Sequence, residues 1–379
     1  MISRLRRVSE VGRALRAARN LESHDEWSVE RFRASQRRRL LAIVRHAASH
    51  SAYYRERFAG TELSDDLDLA ALPRLDKATM LEQFDELVTD RRLTLAGVER
   101  HLTAIEGANP DADPMLLGEY RAMASGGTSG RRGVFVYSRA DWTETLAGLA
   151  LCWSAYFGFA PRLPRRRFAT ISADHPLHMT GRWSRSTDVG LHRYLRLDAR
   201  APLGDLVEAL NAFKPQGLNA YPSIAALLAE RQLAGELRIA PEVIGTSGEV
   251  LTAEMKEQIF AACGRRPFNA YGATEAGYIA VECDRHAGMH VLEDQILLEV
   301  VDDEYRPIPP GEPGSRLLLT NLFNRTQPLI RYELNDLVTV SSEPCPCGRP
   351  SACWRRSRAA ATTCSSCRLS RGAQSRSTR

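Results

Sequence analysis

Along the 379 residues the spacing of apolar positions changes character twice. From Trp27 to Phe58 the apolar side chains Phe32, Leu40, Leu41, Val44 and Ala48 recur on one face among many arginines, which predicts a helix. Pro73 interrupts that pattern, and Asp76 can cap a further helix through Met80, Leu81 and Phe84. From about Tyr120 the runs shorten. Val134–Tyr137, Phe168–Ile171, Gly217–Tyr221, Val243–Thr246 and Phe268–Tyr271 read as β-strands separated by helical stretches such as Ser223–Leu237 and Ala253–Cys263. Beyond His290 the alternation lengthens in Val291–Val301, Ser315–Leu322 and Leu329–Val340, the texture of antiparallel strands.

The expectation is an α/β fold in four segments: a mainly helical region over 1–100, an α/β ATP- and acid-binding core over 101–285, a β subdomain over 286–350 and a disordered, aberrant tail over 351–379. With 44% hydrophobic residues the chain has enough apolar material for a sizeable core.

Charge alters this picture only at the two ends. The net charge is +5, and the eight arginines after Glu343, with no acidic residue beside them, leave about −3 for the rest (5 − 8). That balance argues against nucleic acid as a partner. No apolar run approaches the roughly 20 residues a spanning helix needs, so stable membrane insertion is not expected. Met1 to Asn20 carries six arginines and no apolar signal region, and reads as a solvated surface helix, with a membrane-surface helix as the alternative. Eight cysteines are too few for a disulfide scaffold of this length, which fits the cytoplasm.

The candidate chemistry starts at Ser125-Gly126-Gly127-Thr128-Ser129-Gly130-Arg131-Arg132-Gly133. Glycines let backbone N–H groups crowd an anion, hydroxyls add donors and the arginines add charge, so this loop suits phosphate. It lacks the Gly-Lys-Ser/Thr ending of a P-loop. Three more clusters follow strand ends. Gly245-Thr246-Ser247-Gly248-Glu249 offers small residues against which a flat ring could lie. Asn269-Ala270-Tyr271-Gly272-Ala273-Thr274-Glu275 combines an aromatic, a hydroxyl and a carboxylate able to hold Mg²⁺. Arg331-Tyr332-Glu333-Leu334-Asn335-Asp336 ends in an acid that could accept from a ribose diol. Taken singly, each is also an ordinary turn.

As an ordered set, together with Tyr53-Tyr54-Arg55-Glu56-Arg57-Phe58, they resemble the acyl-adenylate-forming superfamily and its phenylacetate-coenzyme A ligase-like branch, from about Phe32 to Pro350. The resemblance implies the large N-terminal domain of those enzymes, with a mixed sheet flanked by helices. It implies ATP, Mg²⁺ and, in an intact relative, coenzyme A, with an aryl or fatty carboxylic acid as the small-molecule substrate. By position, Ser125, Gly126, Gly127, Thr128, Ser129 and Gly130 match the loop around the β- and γ-phosphates. Gly248 and Glu249 match the adenine turn, and Asn269, Tyr271 and Gly272 the strand beside it. Thr274 matches a phosphate contact, Glu275 the Mg²⁺ ligand and Asp336 the ribose ligand, with Thr128, Thr274 and Glu275 the catalytic set. A homodimer is a further expectation, and a nucleotide-binding protein without catalysis is the alternative function. His175, His178 and Trp183 are candidates for the acid pocket.

Cys283, His286, Cys345 and Cys347 offer three thiolates and an imidazole suited to structural zinc, with His290 as the competing imidazole and unpaired cysteines as the other reading. Similar cysteines occur in the related branch.

The tail departs from the family, whose pattern continues into a Gly-Arg-x-Asp-Asp hinge and a small domain bearing a catalytic lysine. The chain has only Lys77, Lys214 and Lys256. Back-translated with G/C-rich codons and read with each codon's last base joined to the next two, Ala352–Arg368 can spell Val-Leu-Glu-Glu-Ile-Glu-Gly-Arg-Gly-Asp-Asp-Val-Leu-Glu-Leu-Pro. The expectation is a frame change near Pro350 that replaces the C-terminal domain and impairs activity. An arginine-rich disordered arm is the rival reading.

Overall fold

The computed structural model describes residues 2–107, 114–125, 132–173 and 175–356. Eleven α-helices and fourteen strands lie among them. The helical N-terminal part runs α1 (Ile2–Glu22), α2 (Val29–His50), α3 (Ala52–Arg57), α4 (Lys77–Glu82), α5 (Phe84–Leu87) and α6 (Leu95–Glu106). Ser28 caps α2, Ser51 caps α3 and Asp76 caps α4, each side chain accepting from a backbone N–H three residues on. Ser51 explains why the single expected helix over Trp27–Phe58 is two.

After β1 (Tyr120–Ala124) and β2 (Val134–Ser138), which form an antiparallel hairpin, comes α7 (Arg139–Leu151), closed at its start by a Ser138/Asp141 capping box. The α/β part continues with β3 (Arg167–Ser172), α8 (Met179–Ser186), β4 (Arg193–Asp198), α9 (Leu203–Phe213), β5 (Gly217–Ala220), α10 (Pro222–Leu233), β6 (Val243–Ser247), α11 (Ala253–Cys263), β7 (Phe268–Ala273) and β8 (Gly277–Glu282). Strands β9 (Met289–Val291), β10 (Ile296–Val301), β11 (Arg316–Asn321), β12 (Tyr332–Leu334), β13 (Val338–Val340) and β14 (Cys353–Arg356) complete the chain.

Nine strands share one sheet in the order β13-β14-β9-β8-β7-β6-β5-β3-β4, and β10-β11-β12 form a separate antiparallel sheet. The β4-β3-β5-β6-β7 run is parallel, the rest antiparallel. Because side chains alternate across a strand, Ala169, Ile171, Leu218 and Ala220 pack with residues of α9, α10 and α11, whereas Phe168, Thr170 and Asn219 face the opposite side, toward α7 and α8.

Three expectations need correction. The boundary at 285/286 falls inside the large sheet, since β8 pairs with β9 and β9 with β14. The disordered tail does not begin at 351: Cys353–Arg356 is a strand between β13 and β9, and Cys353 and Trp354 are buried. Residues 357–379 lie outside the described residues. Helix α1 is not a free surface helix, because Val11, Ala14, Ala18 and Leu21 are buried and α1 packs on α7. Its Glu10 makes a two-pronged ion pair with Arg121, both bonds 2.9 Å and both residues nearly inaccessible. Losing one partner would strand a buried charge, at a cost of about 3–5 kcal/mol. Among the described residues no helix is long and apolar enough to cross a membrane.

Candidate active site

The parallel strands β5, β6 and β7 deliver their C-terminal ends to one side of the sheet, where an open α/β architecture places ligands. A cleft of ≈ 790 Å³ opens there, in the range of small-molecule sites. It gathers Ser125, Gly248, Glu249, Asn269, Tyr271, Gly272, Thr274, Glu275 and Asp336 from four separate stretches of sequence. Gly126, Gly127, Thr128, Ser129, Gly130 and Arg131 lie outside the described residues. The ends of their loop are held together: Ser125 N–H donates to the Gly133 carbonyl and Gly133 N–H to Ser125 Oγ, both at 2.9 Å.

Each wall has a local cause. Gly248 has φ +85°, and a Cβ there would meet the Tyr221 ring at 2.9 Å, so the turn after β6 requires glycine. Glu249 accepts from Ser223 N–H at 3.0 Å, tying that turn to the first turn of α10. Tyr221 in turn accepts from Ala173 N–H. Gly272 lets β7 approach β8, since a Cβ would lie 2.9 Å from the Gly277 carbonyl oxygen. Tyr137 Oη donates to the Thr274 carbonyl at 2.6 Å, and Asn321 Nδ2 to that of Glu275 at 3.1 Å, so the β7–β8 turn is held from β2 and β11.

Tyr271 Oη donates to Asp336 at 2.7 Å, which brings the strand-end aromatic and the distant acid together. Asn269 donates its backbone N–H to Glu282, while its Oδ1 is buried without a hydrogen-bond partner. A buried acceptor left open in a cleft suits a ligand that brings an N–H. Desolvation pushes the Glu275 carboxyl up to about 7; its own backbone hydrogen bond and the Lys77 charge act in the opposite direction and Asp336 adds to the rise. Such a carboxylate is poised to gain from a cation.

Residues 189–319 match the AMP-binding enzyme family. That stretch of the chain is similar to the AMP-binding enzymes. Over 155 residues it is 34% identical to a phenylacetate-coenzyme A ligase of Thermus thermophilus, a match covering 38% of this chain and 34% of that protein, about a third of the relative's length. Its fold is similar to 2-hydroxyisobutyryl-CoA ligase solved with 2-HIB-AMP and CoA in the thioesterification state, with a TM-score of 0.69 and 22% identity over 87% of this chain and 68% of the other. The same ligase in the postadenylation state gives a TM-score of 0.67 and 23% identity over 86% and 67%. At that identity the likeness is one of fold, and the fold is that of the large N-terminal domain of adenylate-forming enzymes.

Beside the strand-end cleft, an apolar cavity of ≈ 110 Å³ lies between the sheet and α1, α7 and α8. Trp153, Phe159, Phe168, Trp183 and Tyr278 are among its walls. Of the three residues named for an acid pocket, Trp183 lines this cavity; His175 faces Glu106, and His178 stacks edge-on to His175. Tyr278 lines the cavity with its ring against Gly272, a wall of the cleft.

Sequence reasoning missed the contribution of the helical N-terminal part. Arg74 and Lys77 line the cleft, as does Tyr305. The available signal was compositional: lysine occurs three times in an arginine-rich chain, and one of the three is here. Arg331, in contrast, takes no place among the cleft walls. It is buried at φ +51° and donates to Glu299 and to the Ala70 and Leu72 carbonyls, holding the two ends of the domain together.

The second cluster is Cys283, His290, Cys345 and Cys347, whose donor atoms all lie within 4.8 Å of one another. His290 therefore replaces His286 in the expected set. His286 sits in the β8–β9 turn at φ +50°, against Phe268 and Glu282, while His290 on β9 projects toward the thiols. His290 Nδ1 is bonded to Ser351 Oγ at 3.0 Å, which leaves Nε2, 3.2 Å from Cys347 Sγ, on the cluster side.

Proposed function

We propose that this protein activates a small carboxylic acid by adenylation, the first half of an acid–thiol ligase reaction. The observation that carries the reading is the convergence, at the ends of β6 and β7, of the Gly248 turn, the unsatisfied Asn269 acceptor, the Tyr271–Asp336 pair and Thr274–Glu275. Adenine lies against the Gly248–Glu249 backbone with an N–H toward Asn269 Oδ1, and Asp336 accepts from the ribose hydroxyls. Thr274 offers its hydroxyl to the phosphates. An oxygen of the acid attacks the α-phosphorus of ATP, the bond from that phosphorus to the bridging oxygen breaks, and pyrophosphate leaves with the electron pair. Glu275 would hold Mg²⁺, which would supply neutralisation of the charge that builds on the phosphates. Residues placed before the reaction starts lower the barrier without reorganising. In a longer relative, a thiol such as that of coenzyme A then displaces AMP from the acyl carbon.

The apolar cavity takes the non-reacting part of the acid. Its size, close to that of cavities of about 150 Å³ that accept benzene, favours a single ring or a short branched chain over a long alkyl chain. We place the reaction in the cytoplasm, in keeping with six described cysteines that are all free.

The test is hydroxylamine trapping of the acyl-adenylate with ATP, Mg²⁺ and a panel of aryl, branched and long-chain acids. Hydroxamate from a compact acid is the expected result. Absence of product from every acid, with ATP still bound, replaces the enzyme reading with a nucleotide-binding role.

We further propose that Cys283, His290, Cys345 and Cys347 hold zinc, since three thiolates and one imidazole are a tetrahedral donor set for that ion. The site would fasten β8 and β9 to the 345–349 turn and so to β14. Cys345→Ser should lose the metal, measured by elemental mass spectrometry, and melt at lower temperature; equal metal content in the two proteins overturns the site.

A further inference from the structure

Among the described walls of the cleft, acidic side chains outnumber basic ones. Its described walls carry five acids, Asp76, Glu249, Glu275, Glu333 and Asp336, against three cations, Arg74, Lys77 and Arg316. Two of the cations are engaged. Arg316 is bonded to Glu333 at 2.6 Å, and the Arg74 guanidinium lies 3.7 Å over the Tyr305 ring. Lys77 makes no ion pair within 4 Å among the described residues, and it is half-buried at the start of α4. It lines the cleft together with Thr274 and Glu275, and its charge acts on the Glu275 carboxyl.

We infer that Lys77 binds the β- and γ-phosphates of ATP. This rests on the adenylation reading and adds to it a binding residue from the helical N-terminal part of the chain. A flexible ammonium is a point charge able to follow phosphates that move from triphosphate to departing pyrophosphate, which a planar guanidinium stacked on a ring does less well. The two remaining lysines are placed for other work. Lys256 is ion-paired with Glu282, and Lys214 ends α9 in a left-handed conformation.

The small number of lysines makes the test clean. Reductive methylation of the unmodified chain, read residue by residue by mass spectrometry, should be slowed at Lys77 by ATP and not by adenosine, with Lys214 as the internal reference. In parallel, calorimetric titration of Lys77→Gln should show ATP affinity lowered roughly ten- to hundredfold, the range of a charge-assisted contact. AMP affinity should change less than about twofold, and Lys77→Arg should recover most of the loss, since both outcomes follow from a contact with the outer phosphates alone. Unprotected Lys77 in a chain that binds ATP overturns this assignment and leaves the adenylation reading standing, as does an equal loss of ATP and AMP affinity in Lys77→Gln. Failure of the unmodified chain to bind either nucleotide overturns both.

Discussion

The cleft and the apolar cavity are built from the same sheet by opposite means. The cleft is made at strand ends, by backbone turns and by polar groups fixed from outside: Gly248 against Tyr221, Glu249 on α10, the Thr274 carbonyl under Tyr137. The cavity is made on the sheet face by side chains, with Phe168, Thr170 and Asn219 below and α7, α8 and α1 above. One is ≈ 790 Å³ and largely polar in its functional groups, the other ≈ 110 Å³ and walled by aromatics. A site at strand ends can be wide because the turns carry it, whereas a site inside the layers is limited to what close packing leaves open. The division suits a reaction whose common partner is a nucleotide and whose variable partner is an acid.

If that division holds, changes on one side should leave the other unaffected. Gly248→Val forces a branched side chain to φ +85° and into the Tyr221 ring, so ATP affinity should fall on the order of tenfold to a hundredfold in titration calorimetry. Ala150→Phe, which places a ring in the cavity, should raise the KM of a single-ring acid roughly tenfold, with ATP affinity unchanged. An equal effect on both substrates would break the comparison.

The smallest effect concerns His192, a cavity wall stacked on Phe159. Desolvation, aided by the Arg166 charge, holds its ring down to about 4, below the ordinary 6.5. A histidine kept neutral in the fold contributes stability that is whole above pH 6.5 and lost as pH falls toward 4, because the unfolded chain takes up the proton first. Between pH 7.5 and 5 the loss should be at most about 2 kcal/mol, and the melting temperature of His192→Phe should fall less over that interval.

The same contrast decides what could be read in the sequence. The cleft was legible because strand-end turns are contiguous: Gly248-Glu249 and Asn269 to Glu275 each keep their chemistry within a few residues, and each lies at the end of a short strand, Val243–Ser247 or Phe268–Ala273. Helix α11 was expected over Ala253–Cys263 and is found there, between a Thr252 cap and Gly264 at φ +66°. The cavity was illegible because its walls come from Val11, Trp153, Phe168, Asn219 and Tyr278, positions with no common spacing. The cysteine–histidine cluster shows the limit between the two cases. Cysteines 283, 345 and 347 stand out in any reading, but His286 and His290 differ only in which occupies a turn and which a strand, and β9 is three residues long. The Lys77 contribution was hidden for another reason, since a helix start belongs to a cleft only once Leu75 bridges to Tyr332 and brings α4 against β12.

On the adenylation proposal Glu275 is where the nucleotide, the ion and the acid would meet, and one comparison bears on it most directly. Acid-dependent exchange of labelled pyrophosphate into ATP would be measured for the unmodified chain and for Glu275→Gln, with the acid that gives hydroxamate. The account predicts that exchange in the variant falls by about a hundredfold or more, the scale of a lost electrostatic contact in a transition state, while ATP affinity in the absence of Mg²⁺ stays within a few-fold. Equal exchange by the two proteins would contradict it and remove Glu275 from the chemistry.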